Sequence, residues 1–417
     1  LPRRFLNEFA QLRAISKLLF SKNLMTPFYA GSKSSHGSLG LRVKGGFLIT
    51  SRGSNKEDLS DEDIVLVSRV DWRRREIKVV GVANAKASLN APLFQKIYDE
   101  FPSVNGIVHT HSFDKKFPST EFAETPGTLE YALAPIDVLK KFAAVNLNKH
   151  GLIAIGPDIV TAVSTILKPK VVRGNSYKDF PEPYDLLYKR YLKTIPDFIK
   201  LVTTNVPIGA HVLDLAAGTG EVTLPMLEAG YYVTALDLNK GMLEGLRAKV
   251  STPLQTYLTT VTRDFNALDY REQFEAITLR QAINYFIGTS KLRAGLEGIY
   301  SSLKAGGRFI FNAPNYSIDT LDYMPINVLY TSGDLTALVS ERNTLKNRLL
   351  THTQDALVWG NDLATTAYLD SNSFYMYTKG EFEDALKSAG FSKVVFYVSG
   401  LEEYDKSSKS LYCVATK

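Results

Sequence analysis

One stretch limits what this chain can become: LKPKVVRGNSYKDFPEPYD, residues 167–185. It carries prolines at 169, 181 and 183 and has no apolar periodicity, so it continues neither a helix nor a central strand. Runs of strand and helix character lie on both sides of it. The 417 residues therefore divide into two domains, 1–168 and 183–417, joined by a linker over 169–182. Hydrophobic residues make up 45% and charged residues 22%, which supplies apolar surface for two cores.

Before the linker, GGFLITS, DIVLVS, EIKVVGV and VNGIVHTHS read as strands and alternate with helical stretches such as APLFQKIYDEFP and PDIVTAVSTIL. After it, a helix YDLLYKRYLKTIPDFIKLV leads into HVLDLAA, EVTLPMLEAG, YVTALDL and KGMLEGLRAKV, the alternation of a doubly wound parallel sheet. The chain is expected to be α/β in both halves. Its one cysteine, Cys413, excludes an intramolecular disulfide and suits a reducing, cytoplasmic setting. No apolar run reaches the roughly 20 residues that cross a bilayer, so no membrane partner is expected. The opening LPRRFLNEFAQLRAISKLLF is basic and amphipathic but contains Glu8 and no small-residue cleavage site, so it reads as a first helix. The net charge of +6 falls on the first half, which suits an anionic substrate or a solvated surface alike. The densest basic run, DWRRRE, is too short and too poor in aromatics to mark a nucleic-acid face.

In the second half, HVLDLAAGTGEVT is a strand ending near Asp214, then a small-residue turn, then a helix. Ala216, Gly218 and Gly220 let a ligand approach the backbone. The next strand ends at Asp237 and Leu238, where a carboxylate can accept from both hydroxyls of a ribose, and TRDFNAL offers Asp264 and Phe265 for an adenine. This ordered set resembles the small-molecule branch of the class I S-adenosylmethionine-dependent methyltransferases. The likeness runs over about 183–315 and resumes in TKGEFEDALKSAGFSKVVFY and SLYCVATK. It implies a Rossmann-like sheet and S-adenosylmethionine as cofactor. It also places Asp214 and Gly218 against the methionine part, Asp237 at the ribose, and Asp264 with Phe265 at the adenine. Ala216 stands at the family's first glycine.

Methyl transfer from a sulfonium needs alignment and exclusion of water more than a strong base. Arg280, Gln281, Asn284 and Tyr285 stand near the mouth of the fourth strand. Tyr285 is a catalytic candidate there, and Arg280 could hold a cofactor or acceptor group or make an ion pair. Residues 316–375 interrupt the family order and read as an acceptor lid.

In the first half, NGIVHTHSF puts His109 and His111 on one face of a strand, because side chains alternate. LNKHGLIAIGPDI adds His150, which by itself also fits a surface or capping role. Three histidines with one open position would make a catalytic zinc site. The surrounding order GSLGLRVKGGFLITSRG, LSDEDIVLV, KASLNAPLFQKIYDEFPSVNGIVHTHS and ETPGTLEYA resembles the class II aldolase/adducin family over about 10–167. That resemblance implies an α/β/α domain in which His109, His111 and His150 hold zinc or another divalent metal that polarises a sugar-phosphate carbonyl and stabilises an enediolate. It further implies that Ser38, Arg52, Gly53 and Ser88 meet a phosphate, and that the protein forms a homo-oligomer. The family's aldolases carry a glutamate acid/base where Asn90 stands here, and an amide cannot shuttle that proton. Asp114, Glu121 and Glu124 are loop carboxylates that could replace it.

The combined expectation is methyl transfer to a small polar metabolite, such as a sugar or its phosphate. The first domain would be a metal-dependent aldolase, epimerase or decarboxylase, or else a non-catalytic binding or oligomerisation module.

Overall fold

A computed structural model describes residues 5–81, 85–173, 181–187, 189–314, 326–361, 363–398, 402 and 410–417. Two compact units make up the chain. One comprises Leu1–Val172, Met324–Arg342 and Gln354–Leu369, and the other Arg173–Tyr323, Asn343–Thr353 and Asp370–Lys417.

The first unit is built on seven strands: β1 (Ser38–Val43), β2 (Gly46–Thr50), β3 (Ile64–Asp71), β4 (Glu76–Val80), β5 (Gly106–Thr110), β6 (Ala144–Leu147) and β7 (Gly151–Gly156). They pair antiparallel in the order β4-β3-β2-β1-β5-β7-β6. Alternation gives this sheet two apolar faces. Leu39, Leu41, Leu66 and Val108 pack with the helices Leu6–Ser21 and Ile159–Leu167 on one side. Phe47, Ile49, Val67 and Ile107 pack with the helix Ala91–Glu100 on the other, giving the expected α/β/α layers.

Next in the chain come β8 (Lys170–Arg173), β9 (His211–Leu215), β10 (Tyr232–Asp237), β11 (Leu258–Thr262), β12 (Phe274–Leu279) and β13 (Leu303–Pro314). They are followed by β14 (Ile326–Ser332), β15 (Leu335–Lys346), β16 (Leu349–Trp359), β17 (Thr366–Tyr375), β18 (Lys393–Tyr397) and β19 (Ser410–Thr416). The second unit holds the sheet β11-β10-β9-β12-β13-β19-β18. β9 to β13 run parallel, and β19 lies antiparallel between β13 and β18. This is the Rossmann-like doubly wound sheet. Chain order reverses between β9 and β12, the switch point where such sheets bind ligands beyond their carboxyl ends. The single helix expected over 184–202 is instead the helix Pro181–Leu187, a 3-10 segment Lys189–Thr194 and the helix Ile195–Asn205. Pro196, in the first turn of the last piece, starts a helix but cannot continue one.

A third sheet runs β14-β15-β16-β17-β8. The reading of 316–375 as a lid within the second domain needs revision here; 315–325 lie outside the described residues. Residues 324–342 and 354–369 belong to the first compact unit. Leu338, Leu357 and Ala367 are fully buried in the same apolar cluster as the helix Leu6–Ser21. The Gln11 side-chain amide donates to the Asn327 carbonyl at 2.8 Å, and the Arg342 guanidinium bridges the buried carboxylates of Asp158 and Asp355. The apolar strands of the insertion thus bury themselves against a core that a sequence-order division assigns elsewhere.

Among the described residues no helix is long and apolar enough to cross a membrane. If the insertion completes the first unit, Leu357→Ala should cost about 2–5 kcal/mol. It should also speed amide hydrogen exchange in the helix Leu6–Ser21. Unchanged protection of that helix would refute the shared core.

Candidate metal centre and candidate cofactor site

β5 carries His109 on the face that buries Ile107, and His111 follows on the same side. β7 starts at Gly151, whose φ is +109° and where a Cβ would stand 2.1 Å from the Thr110 carbonyl oxygen. Only glycine permits that approach, and it sets His150 beside the β5 pair. Ligand nitrogens of His109, His111 and His150 all lie within 4.8 Å of one another. The three ring centroids are 4.7 to 5.1 Å apart. His109 Nδ1 sits 3.2 Å from the Leu152 carbonyl oxygen, so the ring proton belongs there. Its Nε2 is buried with no hydrogen-bond partner.

A bare protein gains nothing from such a nitrogen, whereas a cation needs its lone pair. Desolvation pushes the His109 pKa well below its ordinary value, and the neighbouring imidazoles add to this. Desolvation, then His150 and His36, push His111 down to about 4, and desolvation lowers His150. All three are neutral at pH 7, the state a metal ligand requires. The donor set fits zinc or a similar divalent ion.

Asn90 is buried at the head of the helix Ala91–Glu100. Its Nδ2 donates to Ser38 Oγ at 3.0 Å, and the Tyr131 hydroxyl donates to its Oδ1 at 2.8 Å. The Tyr131 ring stands edge-on to His150 at 5.5 Å. Ser38 is wholly buried, so its hydroxyl serves this network rather than an open phosphate site. The turn holding Arg52 and Gly53 is exposed and lies against 86–88, with Arg52 N–H donating to the Lys86 carbonyl at 2.8 Å. Ser88 Oγ accepts from the Asn90 N–H at 3.2 Å. Asp114 pairs with Lys168, whose hydrogen bond holds its carboxyl below the usual range, so it is a fixed anion rather than a proton donor. Glu121 is exposed and Glu124 partly so. Sequence reasoning missed Tyr131 and His36. The β1–β5 register pairs Ser38 with His109, so two residues back His36 comes opposite His111. Their ring centroids are 4.2 Å apart.

In the second unit, Ala216 (φ +53°) and Gly218 (φ +55°) turn the chain sharply after β9. A Cβ on Gly218 would meet only the Tyr184 hydroxyl, at 3.9 Å, so this side is open to a ligand. The Gly218 N–H donates to Asp237 Oδ2 and the Asn239 N–H to Asp237 Oδ1, each at 2.8 Å. These bonds aim the carboxylate and leave lone pairs for ribose hydroxyls. Leu238 beside it is 67% exposed. Asp264 is exposed and accepts from the Asn266 N–H, while Phe265 packs edge-on to Phe286 at 5.2 Å. Gln281, at φ +54° beyond β12, faces the same switch point, with its N–H donating to Asn312 Oδ1 at 2.8 Å. Non-glycine residues in this conformation store of order 1–3 kcal/mol each, as at other functional turns.

Three expected cofactor residues do not face open space. Asp214 is 1% exposed, and its oxygens accept from Thr223 Oγ1 at 2.6 Å and Thr278 Oγ1 at 2.8 Å. It braces β9 beneath the turn. A Cβ on Gly220 would lie 2.3 Å from Leu246 Cδ1, so this glycine serves helix packing. The Arg280 side chain, 8% exposed, donates to Glu221 at 2.6 Å and to Thr194 Oγ1 at 3.0 Å. It forms a buried ion pair at the mouth of β12. Tyr285 is exposed and packs on Phe374 at 4.9 Å, next to the Asn284 side chain that donates to the Tyr375 carbonyl at 2.6 Å. Asp185, which carried no sequence signal, accepts from Thr219 Oγ1 at 2.5 Å and pairs with Lys249.

Burial raises the Asp214 pKa to about 6. Below about pH 3 both folded and unfolded states hold the proton. Between about pH 4 and pH 6 the unfolded chain ionises while the buried group in the folded state keeps its proton, so stability is lost as pH rises and levels off above about 6. Asp214→Asn removes this loss, so its stability relative to wild type should rise by up to about 3 kcal/mol between about pH 3 and pH 7. Urea unfolding at both pH values measures it, and a pH-independent difference would contradict the burial argument.

Residues 212–307 match the family described as "Methyltransferase domain", and residues 10–121 the "Class II Aldolase and Adducin N-terminal domain". The chain is 23% identical to the protein described as "Putative methyltransferase YqeM" of Bacillus subtilis over 218 residues, 52% of this chain and 86% of that protein. It is 26% identical over 222 residues to dTDP-3-amino-3,6-dideoxy-alpha-D-glucopyranose N,N-dimethyltransferase of Streptomyces fradiae, 51% of this chain and 84% of that one. It is 27% identical over 96 residues to the methylthioribulose-1-phosphate dehydratase of Leptospira biflexa, 23% of this chain and 44% of that enzyme. It spans about half the length of two further curated methyltransferases. The chain is therefore similar to class II aldolase/adducin domains over residues 10–121 and to methyltransferase domains over residues 212–307.

Proposed function

We propose that the second unit methylates a small polar metabolite, a sugar or sugar phosphate, and that the first unit holds zinc or another divalent metal at His109, His111 and His150. The observation that carries the methyltransferase reading is the turn at the switch point, where the Gly218 N–H and the Asp237 carboxylate close on each other beside an open backbone. S-adenosylmethionine supplies a methyl group already activated on sulfur. The protein's part is to bind and align: Asp237 accepts from the ribose, Leu238 and Phe265 flank the adenine, and Tyr285 stands at the mouth on the acceptor side. The name of the Streptomyces fradiae relative, a dimethyltransferase of an amino-sugar nucleotide, supports a sugar acceptor.

In the first unit a bound divalent cation would polarise a carbonyl or carboxylate oxygen. The imidazoles hold it, while Tyr131, Asn90 and Ser38 form a neutral hydrogen-bonded wall. With an amide at position 90, this unit holds a phosphosugar without aldol cleavage through that side chain. A second reading makes the first unit an epimerase or decarboxylase in its own right, and the intact histidine triad favours it. A homo-oligomer in the cytoplasm fits both readings, and the lone cysteine, buried, suits a reducing setting.

S-adenosylhomocysteine at about a hundred times its dissociation constant should stabilise the folded protein by roughly 2.7 kcal/mol. It should raise the melting temperature of wild type and not that of Asp237→Ala. A full shift in the variant would overturn the ribose assignment. Reconstitution with zinc after chelation should load one ion per chain in wild type and none in His109→Ala, and equal loading would place the metal elsewhere.

A further inference from the structure

Ahead of β9 the chain runs as the helix Pro181–Leu187, the 3-10 segment Lys189–Thr194 and the helix Ile195–Asn205. The first two pieces are fastened at two points on the carboxyl edge of the parallel sheet. One point is the turn after β9. There the Thr219 hydroxyl donates to Asp185 Oδ1 at 2.5 Å, and Asp185 Oδ2 pairs with Lys249. The Lys249 ammonium also donates to the Thr219 carbonyl at 3.3 Å, so hydroxyl, carboxylate, ammonium and carbonyl close a ring on one residue of the turn. The other point is the mouth of β12. Thr194 Oγ1 accepts from Arg280 at 3.0 Å, and Arg280 is itself held by Glu221 at 2.6 Å.

β9 and β12 are the neighbours between which chain order reverses, so a segment fastened at the ends of both crosses the switch point. Tyr184, next to Asp185, puts its hydroxyl 3.9 Å from where a Cβ on Gly218 would stand, and forms the far wall of the open space beside the turn. The two fastenings are unequal. The Arg280 and Glu221 side chains are 8% and 17% exposed, whereas those of Lys249 and Asp185 are 35% and 36% exposed. Water and salt compete for the more exposed pair, so the Asp185 end opens first. The bonds at that end join protein groups to each other. A bond made equally with and without ligand cancels from the binding equilibrium and acts only on how often the segment opens.

We propose, resting on the cofactor reading above, that Asp185 is the catch of a strap across the switch point, and that release of this catch limits both entry and exit of the S-adenosyl nucleoside. Methyl transfer needs water kept out, and the spent nucleoside must leave before the next one enters, so a cover here has to open once per turnover. Asp185 is a positioning residue that acts through Thr219 and Lys249. It sets the rate of exchange and leaves affinity to the turn and Asp237.

The test uses the full-length chain immobilised for surface plasmon resonance, with S-adenosylhomocysteine as the probe, and reads association and dissociation rates separately. Asp185→Ala should raise both rates about tenfold, the loss of one charge-assisted hydrogen bond, and leave the dissociation constant within about threefold of wild type. Thr219→Val removes the same bond from the other partner and should do the same. The double variant should be no faster than either single one, because both break one interaction. Asp185→Asn keeps an acceptor for the Thr219 hydroxyl and should fall between wild type and Asp185→Ala. Unchanged rates in Asp185→Ala would mean that the strap gates nothing. Faster dissociation alone would make Asp185 a shaper of the binding turn, and a double variant faster still would separate the two residues. Each of these results overturns the proposal. Failure of the wild type to bind the probe would instead strike the cofactor reading, which the Asp237→Ala melting experiment tests separately.

Discussion

At Gly151 the backbone of β7 runs so close to the Thr110 carbonyl that no side chain fits between them, and at Gly218 an amide closes to 2.8 Å on the Asp237 carboxylate. Each contact ties the ends of two strands together, the first backbone to backbone and the second backbone to side chain. In the antiparallel sheet it delivers a histidine from β7 to the pair on β5. In the parallel sheet it ties the first turn to the end of β10 beside the switch point. The two sites differ in chemistry and in what their glycine supplies: at Gly151 a close approach that only glycine tolerates, and at Gly218 a left-handed turn with an open side.

Burial then decides what each site can hold. In the first unit it keeps the imidazoles neutral and leaves a buried lone pair on His109 Nε2. In the second it raises Asp214 and hands both of its oxygens to threonines, so the acidic residue that opens the glycine motif is a brace rather than a contact. Asp237, held by two amides, keeps the ligand role. Position in a motif does not equal exposure to the ligand, and here two acidic residues at adjacent strand ends divide the two tasks.

The parts legible in the sequence were those set by local geometry. A period of two put His109 and His111 on one face, and the spacing of small residues marked the turn after β9. What escaped depended on contacts between distant segments. His36 joins the histidines only through the β1–β5 register, which a single sequence does not display. Tyr131 and Asp185 lie on short helices whose packing brings them to the sites. Arg280 looks like a surface cation in sequence because its partner, Glu221, comes from a different strand–helix turn. The insertion was misplaced for the same reason. Its alternating strands show that a face must be buried, but not against which core, and Leu338 and Leu357 chose the first unit.

The account stands on the claim that the turn after β9 and the end of β10 cradle a sulfonium nucleoside. Hydrogen–deuterium exchange of the full chain, with and without S-adenosylhomocysteine, locates such a ligand directly. The account predicts added protection in peptides covering 214–220 and 237–239, with a smaller effect at 264–266. No protection there, or protection confined to another part of the chain, would contradict it.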